Sequence, residues 1–233
     1  MKPAARALFE RRSPYFEGRV GYMYLDTKRL VTTGVGLLLD AFTPDGKPLT
    51  DPPPVVFTLP WRRADGRLAS KLEVDAAWRT VKGCTDLDPA AGGAQYAAVT
   101  TLRLSESAVT ASSTRRLDDN IARMRRRFGK AYDAWPCDAQ VALHSMVWAM
   151  GPNFGFPRFT AACNALDFMV AADECRMREQ GANRWFRERN AWNRALFRNA
   201  AAVLEEGRDP DVCAWPEVLR PEPPEGPSTV RRA

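Results

Sequence analysis

The chain has 233 residues with 34 Lys and Arg against 28 Asp and Glu, a net charge of +6, and 45% apolar residues. That length and apolar content allow one domain, or one domain built as two lobes, around a substantial core. The basic balance favours a polyanionic partner without choosing one, and no apolar run approaches the ~20 residues that a membrane-spanning helix needs. Five cysteines, with no C-x-x-C and only one histidine (His144), exclude a zinc site of the usual ligand spacing. Their odd number predicts ordinary reduced thiols, mostly buried as small hydrophobes.

In chain order, residues 3–12 suit a short charged helix that Pro14 should end or restart. No apolar secretion core follows it, so no Sec-type export route is expected. Gly21-Tyr22-Met23-Tyr24-Leu25, a polar turn Asp26-Thr27-Lys28-Arg29, and Leu30-Val31-Thr32-Thr33-Gly34 read as a β-hairpin. Residues 43–66, rich in Pro, Gly and Asp, read as a long surface loop; 69–81 read as a helix, and 86–93 as a second break. From Ser105 the pattern turns helical. Leu117, Ile121, Met124 and Phe128 recur at helical spacing with arginines on the other face. Asp138 is a good N-cap for a segment, 141–150, that is apolar nearly all round and therefore central, with Gly151-Pro152 as its stop. Residues 159–166, 170–178 and 192–204 complete the helices. The proline-rich, charged stretch 221–233 has the composition of a disordered tail.

The expected fold is thus α+β, mostly α, with a small hairpin lobe (about 13–104, including an enlarged loop region 41–104), a larger helical lobe (about 105–215), a cleft between them, and a tail at 216–233. A cleft between lobes suits an extended polymer.

Hydrolysis of a glycosidic bond needs a protonated carboxyl for the leaving oxygen and a second carboxylate that steers a water or acts as nucleophile. Glu17 and Asp26 form a candidate pair. Glu17 closes a helix before the C-cap candidate Gly18, at the negative end of the helix dipole and beside Tyr15 and Phe16. Both influences favour the protonated form that a general acid requires. Asp26, in an exposed turn, stays ionised. Thr32 on the returning strand can offer a hydroxyl to the same water.

Glu17, eight residues, Asp26, five residues, Thr32, then Gly34-Val35-Gly36: this spacing resembles the catalytic segment of T-even phage-type lysozymes, within glycoside hydrolase family 24. The downstream segments Ala142-Leu143-His144-Ser145-Met146-Val147-Trp148-Ala149-Met150-Gly151, Gly155-Phe156, Arg184-Trp185-Phe186 and Asn193-Arg194-Ala195 resemble, in order, that family's later helices. The resemblance implies a lysozyme-like fold and a muramidase that cleaves the β-1,4 bond between N-acetylmuramic acid and N-acetylglucosamine of bacterial peptidoglycan. It implies Glu17 as acid, Asp26 and Thr32 as holders of the attacking water with inversion at the anomeric carbon, and Arg194 as the group that positions Glu17. Trp148, Tyr24 and Gly34 would contact the sugar. No metal or organic cofactor is implied, because side chains and water carry both proton transfers. Residue 37 is Leu where the family often has His, residue 149 is Ala where it often has Gln, and the 41–104 linker is enlarged, which suggests a cleft cover or docking surface. The expected setting is an antibacterial effector delivered by a secretion machine and matched by an immunity protein, or an endolysin released by a holin. The protein is expected to be made in the cytoplasm and to act on the wall, and no nucleic-acid partner is expected.

Each residue also has a plainer reading. Glu17 can be a solvated helix end, Asp26 a turn former, Trp148 and His144 core, and Arg194 an ordinary surface arginine. Gly34-Val35-Gly36 lacks the G-K-[ST] and βαβ context of a phosphate loop, and Arg125-Arg126-Arg127 reads as a solvated helix face. At the level of the whole protein the alternatives are a catalytically silent wall-binding module, a lytic transglycosylase and a chitinase-like activity.

Overall fold

A computed structural model describes residues 1–43, 45–178 and 184–217. The element order is α1 (Pro3–Glu17), β1 (Val20–Leu25), β2 (Val31–Gly34), β3 (Leu37–Leu38), α2 (Lys71–Lys82), α3 (Glu106–Phe128), α4 (Ala131–Ala134), α5 (Cys137–Met150), α6 (Pro157–Asn164), α7 (Phe168–Glu174) and α8 (Arg184–Glu205). The protein is therefore mostly helical with one small antiparallel sheet, an α+β architecture. No helix among the described residues is long and apolar enough to cross a membrane. The chain divides into two compact units, one formed by Ser13–Asp118 and the other by Met1–Arg12 with the residues from Asp119 on.

Pro14 does not end the first helix, which runs unbroken to Glu17. Proline already has a helical φ and removes only one interior hydrogen bond. Ala5, Leu8, Phe9 and Ser13 are buried along the helix. Gly18 then stops it with φ +70, its N–H donating to the Pro14 carbonyl at 2.9 Å.

In the unit 13–118 the three strands run in the order β1-β2-β3. Tyr24 pairs with Thr32 and Leu25 with Val31, while Thr32 pairs with Leu38 and Thr33 with Leu37. Met23, Leu25, Val31, Val35 and Leu39 are buried. The stretch 43–66 expected to be a surface loop adds Val56 and Trp61 to this core, and α2 with the segment after it adds Trp78, Val81 and Tyr96. Val56, Trp61, Trp78, Val81 and Tyr96 are each at most 1% exposed. The Trp61 indole donates to the Val56 carbonyl at 2.9 Å and the Trp78 indole to Leu39 at 3.2 Å. A capping box between Ser70 and Glu73 starts α2. Its last residue, Lys82, pairs at 2.5 Å with the buried carboxylate of Asp40, which also accepts from Val31 N–H at 3.1 Å. Proline and aspartate content suggested solvent exposure; the scattered large aromatics decided otherwise.

In the other unit α5 is central, as its apolar sequence predicts. Every residue from Cys137 to Trp148 is buried, α8 packs along the helix, and α7 packs on α8. Gly151 ends α5 with φ +83. Asp138 is not its N-cap: Pro136 holds that position. The Asp138 carboxylate turns instead to the backbone N–H groups of Ala214 (2.7 Å) and Trp215 (3.2 Å). Next to it Cys137 and Cys213 form a disulfide, with Cα atoms 5.0 Å apart. This corrects the expectation of five reduced thiols. An odd total leaves room for a pair, and a pair 76 residues apart is invisible until the chain folds back. Cys84, Cys163 and Cys175 remain free thiols. Asn199 Nδ2 donates to the Glu217 carbonyl at 2.7 Å, so the chain is fastened at least to that point. The tail expected at 221–233 lies outside the described residues.

Candidate active site

Five of the residues singled out from sequence belong to the unit 13–118, and the fold brings the two carboxylates to a common neighbour. Glu17 is the last residue of α1, half-buried. Asp26 follows β1 and is half-buried rather than exposed. It organises the hairpin turn. Its Oδ1 accepts from the N–H of Lys28 (2.8 Å) and Leu30 (3.0 Å), and its carbonyl accepts from Arg29 N–H at 2.8 Å, with Arg29 at φ +59. Among the described residues Oδ2 accepts no hydrogen bond, which leaves it for a water.

Tyr24, on β1 two residues before Asp26, is the residue on which both carboxylates act. Burial raises its phenol well above the ordinary tyrosine value. The negative charges of Glu17 and Asp26 add to that shift, while Arg116 opposes it. The charges of three side chains therefore act on one phenol. The ring is covered on one side by Gly93, where a Cβ would stand 3.3 Å from Tyr24 Cγ. Thr32 is the cross-strand partner of Tyr24, 4% exposed, and its hydroxyl donates to the Leu30 carbonyl at 3.2 Å. With its proton committed there, the Thr32 oxygen can only accept from a water, not donate to it.

The Gly34-Val35-Gly36 turn is shaped by what approaches it. Both glycines have positive φ, +64 and +65. A Cβ on Gly34 would meet Ser112 Oγ and Val109 Cγ1 at ordinary distances of 3.7 and 3.8 Å. A Cβ on Gly36 would lie 2.8 Å from Glu17 Oε2 and 3.6 Å from Arg116 Nη1. A side chain there would displace the Glu17 carboxyl from that point. Gly34 therefore serves the turn, and the carboxylate borders Gly36 instead.

No family model, curated protein or solved structure matches this chain. The remaining two sequence candidates lie in the other unit. Trp148, on α5, is 4% exposed, with its ring 5.3 Å from that of Phe9, so it packs as a core residue. The expected sugar-stacking role requires an open ring face, which 4% exposure does not offer. Arg194, on α8, pairs with Asp173 at 3.1 Å. The expected role toward Glu17 does not account for that partner. Arg116, which the sequence reading passed over, borders the same position on Gly36 as Glu17, 3.6 Å from the Cβ that a side chain there would add. One signal was available: Val109, Ser112 and Arg116 fall three and four residues apart on α3, a single helix face, and that face lies along the glycine turn.

Proposed function

We propose that this protein is a peptidoglycan hydrolase of lysozyme-like fold, a muramidase that cleaves the β-1,4 bond between N-acetylmuramic acid and N-acetylglucosamine. The reading is supported by two carboxyls of the same unit, Glu17 closing α1 and Asp26 holding the hairpin turn, whose charges both act on the phenol of Tyr24. Two carboxyls of unlike setting, one at a helix end and one in a hairpin turn, share a small polar neighbourhood. In the reaction, Glu17 delivers its proton to the glycosidic oxygen as the C–O bond breaks. A water held by Asp26 Oδ2 and accepted by Thr32 attacks the anomeric carbon from the opposite face and passes its proton to Asp26, which gives inversion. No cofactor enters this scheme. The Cys137–Cys213 disulfide suits work in an oxidising compartment such as the periplasm, where an injected effector or an endolysin would meet its substrate.

Purified protein incubated with intact sacculi tests the reading. New reducing ends are expected from wild type, and Glu17→Gln should bind the wall and release nothing. A second reading, a silent wall-binding module, is favoured by one observation: Asp26 Oδ1 is fully used in holding the turn. Wall binding by wild type without any new reducing ends would decide for it. Products ending in 1,6-anhydro sugars would point to a transglycosylase, which needs no water-holding aspartate.

A further inference from the structure

We propose that Arg116 is the positioning residue of Glu17, holding the acid's carboxyl in place and countering the charge it acquires when its proton leaves. The inference rests on the hydrolase reading above and deepens it. Arg116 Nη1 donates to the Gly36 carbonyl at 2.5 Å. That bond fixes the guanidinium at the turn that Glu17 Oε2 also approaches, since both stand within 3.6 Å of the same empty Cβ position on Gly36. The α3 face supports this placement: Val109 and Ser112 lie alongside Gly34, and one turn later Arg116 reaches the Gly36 carbonyl. A planar guanidinium with five donors can bond a carbonyl and still face a carboxyl. As Glu17 protonates the leaving oxygen it becomes an anion. A fixed cation beside it stabilises that state without reorganisation, which lowers the barrier to the step itself. Arg194, paired with Asp173, is not needed for this role.

The test compares Arg116→Gln and Arg116→Lys in the full chain on sacculi, with reducing-end release and thermal stability measured together. The glutamine amide can keep the hydrogen bond to the Gly36 carbonyl but carries no charge; lysine keeps the charge. Arg116→Gln is expected to lower kcat on the order of 10- to 100-fold with KM within about twofold. Arg116→Lys should recover much of that loss, and millimolar guanidinium should partly restore Arg116→Gln. Wild-type rates in Arg116→Gln overturn the proposal. So do equal losses in both variants that guanidinium leaves untouched, since these mark a merely structural residue. If Arg116→Gln is too unstable to assay, Arg116→Lys alone decides: rates within about tenfold of wild type sustain the proposal, and abolished release from a folded protein overturns it. Wild type that releases no reducing ends refutes the hydrolase reading itself and this inference with it, a result distinct from all of these.

Discussion

Substituting alanine for Gly36 and, separately, for Gly34 isolates the geometry of the acid from the strain of the turn. The two positions have nearly the same backbone, φ +65 and +64. An L-residue in that left-handed region costs about 1–2 kcal/mol, so both variants should lose similar stability. What the new Cβ meets differs. At Gly34 the nearest atoms are 3.7 Å away or more; at Gly36 the Glu17 carboxyl oxygen is at 2.8 Å. Because that oxygen ends a flexible side chain, it can retreat at little further cost in stability, moving by about half an ångström, which is the tolerance of a working catalytic group. A displaced acid loses on the order of 10- to 100-fold in rate. The expected result is matched urea midpoints, near-normal muropeptide release by Gly34→Ala, and sharply reduced release by Gly36→Ala. Equal activity in the two variants at equal stability would refute the placement of Glu17 against Gly36.

Asp26→Asn should lower hydrolysis by about 10²–10⁴-fold while leaving the fold nearly intact, because an amide Oδ1 can still accept from Lys28 and Leu30 N–H; full activity in this variant would exclude a water-steering carboxylate. The oxidised protein, denatured without reductant, should titrate three thiols with a chromogenic disulfide, from Cys84, Cys163 and Cys175. Cys213→Ser should lower unfolding stability by about 4 kcal/mol, since the bond closes a span of 76 residues; an unchanged denaturation midpoint would refute that constraint. Two buried groups set opposing pH dependences. Burial lowers His144 to about 3, so between that value and the ordinary histidine value only the unfolded chain takes the proton, and acidification destabilises the fold by about 1.4 kcal/mol per pH unit. Burial raises Asp138 to about 6, against the pull of its backbone hydrogen bonds. Its contribution is therefore largest below the ordinary aspartate value and is lost as pH rises through about 6. Between pH 4 and 6 the two slopes offset each other. Relative to wild type, His144→Gln should gain stability on acidification across that window and Asp138→Asn should lose it, as read by urea midpoints; parallel curves for all three proteins would refute the assignment.

The elements that local sequence specifies were the legible ones. The hairpin from 21 to 34, the Gly18 and Gly151 stops, the Leu117-Ile121-Met124-Phe128 stripe and the buried α5 all follow from period and punctuation, and the structure has each of them. Glu17 at a helix end and Asp26 in a turn were legible for the same reason. What sequence could not supply were partners set by tertiary contact. Asp138 looked like a cap because capping is a local rule, yet its acceptors went to residues 214 and 215, some 76 positions away. Cys137 and Cys213 share that separation. Arg116 went unseen because its relation to Glu17 depends on how α3 lies against a glycine turn 80 positions earlier, and no periodicity encodes that.

The segment between the hairpin and α3, expected to be a cover or docking surface, also changes meaning once its contacts are known. A cover or docking surface added to a finished lobe should be removable without harm to the hairpin. Here Lys82 neutralises the buried Asp40, whose other contact is the N–H of Val31, the first residue of the strand that carries Thr32. Trp78 bonds Leu39 across the same edge, and Gly93 backs the ring of Tyr24. Removing the segment would strand the Asp40 carboxylate without its cation, a loss of about 3–5 kcal/mol in a buried site, and would uncover the phenol on which the two candidate carboxylates converge. The segment is therefore part of what holds β2 in place. A sheet of this size must be buried against something, and here the segment between the hairpin and α3 supplies much of that cover.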